Sequence, residues 1–145
     1  MRLSSNRKVG SPSDRKDELR QARTAAPTLR VAYPGAALVR VELSFQENSG
    51  LEHAPQAFSV YPPAKAHFVY ACPFGDCDGV YDLNEIASGA LRSGKSKTRG
   101  TLTCVGHRSR NGKSDCSCEL LATYSIAIRH DNEEPGVSRS SGASA

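Results

Sequence analysis

All five cysteines of the chain lie between residues 72 and 118, and each borders a run that reads as a strand end or a turn. The first pair belongs to Cys72-Pro73-Phe74-Gly75-Asp76-Cys77, a loop whose proline and glycine suit a tight reversal. The second group opens with Cys104-Val105-Gly106-His107 and, after a polar stretch, closes with Cys116-Ser117-Cys118. Thiolates and imidazoles are ligands that zinc takes four at a time, tetrahedrally, with bonds of about 2.3 Å to sulfur and about 2.0–2.1 Å to nitrogen. Two turns that each present a ligand pair satisfy that geometry, and the chain between Cys77 and Cys104 is long enough to bring them together. The expected chemistry is therefore binding of Zn2+. Cys72, Cys77 and Cys104 lie at strand-to-turn junctions and lead the ligand set. For the fourth place Cys118 is favoured, because it opens a strand and faces Cys104 across a hairpin. Cys116, two residues earlier, and His107, which would complete a C-x2-H turn through Gly106, remain alternates.

Two other uses of the thiols compete. Disulfides would need an even count and an oxidising compartment, yet the count is odd and the N-terminus lacks the apolar stretch of a secretory signal. A redox couple of Cys116 and Cys118 would lack the C-x-x-C spacing usual for exchange. Metal binding in the cytoplasm is the expectation that remains.

The elements that must position these ligands are legible from periodicity. Val39, Val41, Leu43 and Phe45 alternate with Arg40, Glu42 and Ser44, the pattern of a half-buried strand. Residues 46–55 are polar and read as a loop, and Phe58 and Val60 mark a short second strand closed by Pro62 and Pro63. A third strand over 67–72 places Phe68, Tyr70 and Cys72 on one face. Leu83, Ile86, Ala87, Ala90 and Leu91 follow at helical spacing. Asp82 is the expected cap, with Glu85 reaching back to it and Gly94 as the stop. Residues 101–105 read as a strand and 118–129 as the longest one, with Leu120, Ala122, Tyr124, Ile126 and Ile128 sharing a face. The fold class expected is α+β, mostly antiparallel β, with one short helix. Residues 1–30 are expected to be a basic disordered arm, 31–130 the β domain, and 131–145 a disordered tail rich in serine.

With 145 residues, 38% apolar and 6% aromatic, the chain supports one small domain with a modest core. A metal linking distant segments supplements such a core. The CPFGDC loop, the TCVGH segment and the CSC that follows resemble the zinc-ribbon class, in which two hairpin-like knuckles clamp one structural zinc. The resemblance covers about residues 67–129 and implies a structural zinc site. The first pair departs from the class pattern, being spaced by four residues rather than two. The Ala- and Arg-rich composition points to a bacterial source.

The charge is +4, but it is unevenly placed. Arg2, Arg7, Lys8, Arg15, Lys16, Arg20, Arg23 and Arg30 face only Asp14, Asp17 and Glu18 in the first thirty residues. A second basic set comprises Arg92, Lys95, Lys97, Arg99, Arg108, Arg110 and Lys113, with no Asp or Glu from Arg92 to Ser114. Two loops, 92–99 and 108–113, are expected to carry these cations. They point to a polyanionic partner, nucleic acid or a ribonucleoprotein, with Phe68, Tyr70, Phe74 and Tyr81 available to stack on bases or, more simply, to fill the core. A protein partner is the alternative. No small-molecule substrate is evident, and no apolar run approaches the roughly 20 residues that span a bilayer. Catalysis is not expected, because abundant thiolates close the zinc shell and no phosphate loop or nucleophile elbow is present. Asp76, Asp78 and Asp82 are read as turn and cap residues.

Overall fold

The computed structural model describes residues 12–110 and 113–131. Helix α1 (Pro12–Ala25) and a single helical turn, α2 (Leu29–Ala32), precede the long strands β1 (Ala36–Gln46) and β2 (Glu52–Val60). The short strands β3 (Val69–Ala71) and β4 (Val80–Asp82) flank the first cysteine loop, and α3 (Asn84–Arg92) follows. β5 (Lys97–Thr103), β6 (His107–Arg110), β7 (Lys113–Ser117) and β8 (Leu121–His130) complete the order. One antiparallel sheet runs β2-β1-β8-β5, and β3-β4 and β6-β7 form two-stranded ladders. The architecture is a small α+β domain of mostly antiparallel strands, as expected.

The period-2 pattern is realised directly. Val39, Val41, Leu43 and Phe45 of β1 point into the core beside Ala122, Tyr124, Ile126 and Ile128 of β8, the central pair of the sheet. Ala87, Ala90 and Leu91 of α3 join the same cluster, together with Leu29, Phe68, Tyr70 and Tyr81. Burying these side chains is the main apolar contribution, on the order of 1.5–3 kcal/mol for each large one.

Five expectations need correction. The helix expected to be the only one is joined by α1 and α2, so the described part of the expected arm over 1–30 is largely helical. Pro12 begins α1, Asp14 lies in its first turn and Arg23 in its last, which suits the helix dipole. Residues 1–11 and the tail beyond Asp131 lie outside the described residues. Second, β2 begins at Glu52 inside the expected loop, because a bulge opposite Ser44 gives Pro55 a place in an edge strand without a lost ladder donor. Third, the polar stretch after Gly106 is the hairpin β6-β7. Fourth, β8 starts at Leu121, so β1, with 11 residues, is the longest strand. Fifth, α3 starts one residue late: Leu83 is its N-cap without a side-chain bond, and Asp82 Oδ1 accepts the Asn84 N–H instead. Its end is as read. Gly94 adopts φ 75°, its N–H bonds Leu91 O at 3.4 Å, and the Lys95 N–H bonds Ala90 O at 3.0 Å, a Schellman closure.

Candidate metal centre

Two hairpin bases converge at one end of the domain. Cys72 follows β3 and Cys77 precedes β4, so the first loop presents both its sulfurs from one turn. Cys104 ends β5 and Cys118 leads into β8, and these strands are paired, so the two cysteines oppose each other beneath the β6-β7 hairpin. The Cys104 N–H donates to Leu120 O at 2.9 Å and the Cys118 N–H to Gly106 O at 3.0 Å, fixing that base.

The four sulfurs of Cys72, Cys77, Cys104 and Cys118 lie within 4.8 Å of one another. Cys72 Sγ is 3.7 Å from Cys118 Sγ, and Cys77 Sγ is 3.6 Å from Cys104 Sγ. A tetrahedron with metal–sulfur bonds of about 2.3 Å has edges of about 3.8 Å, so the set fits a tetrahedral ion. All four thiols are free, and Cys72, Cys77 and Cys104 are buried. Cys118 is half-buried and lines a cavity of about 330 Å³ with Phe74, Arg108 and Glu119, the side from which solvent reaches the cluster.

Two of the sulfurs receive a backbone N–H from the residue two places on: Gly79 donates to Cys77 Sγ at 3.2 Å and Gly106 to Cys104 Sγ at 3.4 Å. The Phe74 and Leu120 amides act on Cys72 and Cys118 in the same direction. Such donors favour the thiolate over the thiol. Without a cation the cluster cannot ionise fully, because four like charges would share one buried point. Hydrogen bonding from the Cys72 thiol, against the effect of burial, pulls Cys104 down to about 5. Burial pushes Cys77 up to about 12, and it is also the main cause raising Cys118. Cys72 is raised chiefly through its hydrogen bond to Cys104. A bound cation replaces the protons of the raised thiols, which couples metal binding to proton release.

The two glycines permit this convergence. A Cβ on Gly79 would lie 2.3 Å from Cys104 Sγ, and one on Gly106 would lie 2.4 Å from Gly79 Cα. The turns Cys77-Asp78-Gly79 and Cys104-Val105-Gly106 are therefore in backbone contact. Asp78 ties them further, its Oδ1 accepting the His107 N–H at 2.7 Å and its own N–H donating to His107 O at 3.1 Å. The repeated Cys-x-Gly was the sequence signal for this contact, and the reading above missed it.

The other expected residues disperse. His107 is exposed and meets the site through its backbone, not its imidazole. The side chain of Cys116 lies outside the described residues, as do those of Arg110 and Lys113. Lys97 and Arg99 stand on the exposed face of β5 rather than in a loop, and Arg108 stands on β6. Arg108 is committed internally: its Nε bonds Asp76 Oδ1 at 2.9 Å and its guanidinium sits 3.8 Å from the Phe74 ring centroid. Arg92 ends α3 and bonds Ser88, while Lys95 is exposed between α3 and β5. Phe68, Tyr70 and Tyr81 are core residues, and Phe74 is covered by Arg108 and by an edge contact with His53, so none of the four offers a stacking face.

One residue beside the cluster had no sequence signal. Arg15 of α1 is only 6% exposed, and its Nη1 donates to the carbonyls of Cys77 and Gly79. The cluster of four cysteines at two facing knuckles fits a zinc-ribbon-like arrangement loosely, and no protein-family model, curated protein or solved structure matches the chain.

Proposed function

We propose that this chain is a zinc-stapled binding module of the cytoplasm whose partner is nucleic acid or a ribonucleoprotein. The observation that carries the zinc reading is the set of four sulfurs within 4.8 Å of one another, two of them accepting a backbone N–H from a turn glycine. An all-thiolate tetrahedral set suits zinc, and four protein ligands leave no position for a reacting water, so the ion would serve structure rather than catalysis. Free thiols poised for a metal suit a reducing compartment.

The support for a polyanionic partner is the exposed cationic strip of Arg92, Lys95, Lys97 and Arg99 along the end of α3 and the edge strand β5. The strip would follow a phosphate backbone without reading bases, since no aromatic accompanies it. A gel shift across a salt series tests this reading. The expected result is binding that weakens steeply with salt and weakens further in Lys97→Ala/Arg99→Ala; no binding at low salt, or salt-independent binding, would contradict it. One observation favours a protein partner instead: Val105, at the tip of the second knuckle, is 84% exposed. Retained binding to a protein fraction after nuclease treatment, lost in Val105→Asp, would select that alternative.

A further inference from the structure

Arg15 is the feature that the functional reading leaves unused. A buried guanidinium is costly unless its charge and donors are matched. Helix α1 brings little apolar surface to the domain: Leu19 is its one large apolar side chain in the described part, and it is only half-buried. Two arginines of α1 reach distant backbone carbonyls. Arg23 donates to Val69 O at 3.2 Å, and Arg15 donates to Cys77 O and, at 3.3 Å, to Gly79 O.

The carbonyls that Arg15 joins belong to the turn whose Gly79 N–H serves the Cys77 sulfur. Gly79 O also accepts the Cys72 N–H at 3.1 Å, so one acceptor links both cysteines of the first loop to α1. A divalent ion held by four thiolates is a dianion, and a cation that sits against the knuckle backbone offsets that charge while fixing the turn. Resting on the zinc reading above, we infer that Arg15 is an outer-shell positioning residue of the metal centre, and that through it the docking of α1 on the domain is coupled to the held metal. Docking and metal affinity then strengthen each other equally, by linkage.

The test uses the full chain, zinc-loaded, with amide hydrogen exchange followed along α1 and zinc transfer to a chelator timed in parallel. Arg15→Ala is expected to lose α1 protection and to release zinc about tenfold faster, in line with the 10–100-fold effects typical of such outer partners. Arg15→Lys, which keeps the charge but not the two-carbonyl fork, is expected to fall between, a rescue that a purely space-filling role would not give. Wild type supplies the second arm should Arg15→Ala not fold: on chelation, α1 amides are expected to lose protection no later than the first loop loses its metal. Unchanged zinc release and unchanged α1 protection in Arg15→Ala, or α1 protection that persists in metal-free wild type, would overturn the inference while leaving the zinc site standing. Wild type that binds no zinc at all would remove both.

Discussion

At the scale of single residues, the centre depends on groups that cannot be exchanged for near relatives. Cys72→Ser removes a thiolate from the set and is expected to leave a chain that no longer folds cooperatively, seen as collapse of amide dispersion in the NMR spectrum even with zinc added. Gly79→Ala and Gly106→Ala force a methyl into spaces of 2.3 Å and 2.4 Å beside a ligand sulfur and a facing backbone. Overpacking costs about 1–3 kcal/mol, so either variant is expected to lower the denaturation midpoint and to speed zinc loss together. The ligand chemistry was readable from sequence because thiol spacing is local. Cys118 joins the other three sulfurs as expected, though it lies three residues ahead of β8 and does not open it. Arg15 was not readable: nothing in a polar helix tells which cation will turn inward onto carbonyls more than sixty residues away.

At the scale of elements, β1 and β8 carry the core and α3 shows how local rules and tertiary ones divide the work. Ile126 is fully buried between β1 and β5, and Ile126→Ala is expected to cost about 2–5 kcal/mol in thermal or denaturant unfolding. His67, 7% exposed just before β3, is held below the ordinary histidine range first by burial and then by the Arg23 guanidinium, with Asp82 opposing. The unfolded chain therefore takes up the proton more readily, and stability falls as pH drops through the ordinary value near 6.5 toward the lower folded value. Under saturating zinc, the unfolding midpoint of wild type is expected to decline over that window more than that of His67→Gln; parallel profiles would exclude the histidine. Alternation made β1 and β8 legible in sequence, and Gly94 made the end of α3 legible. The start of β2 was hidden because Pro55 reads as a breaker until a bulge accommodates it, and the hairpin β6-β7 was hidden because its sequences, HRSR and KSDCS, carry no alternating apolar residues.

At the scale of the whole molecule, the modest core and the cysteine cluster are complementary. The four-stranded sheet carries the core, while two short turns are held against each other by sulfur, two glycines and Asp78, and Arg15 ties the first of them to α1. Removing the metal is expected to loosen those turns first, and the net charge then matters through position rather than sum. Arg108 and Arg15 are bound inward, whereas Lys95, Lys97 and Arg99 are exposed. The most direct test of the central claim is the metal content of protein purified without added metal, measured alongside native thiol titration. About one zinc per chain is expected, with Cys72, Cys77, Cys104 and Cys118 unreactive until a chelator is added; protein with no bound metal and freely titrating native thiols would contradict it.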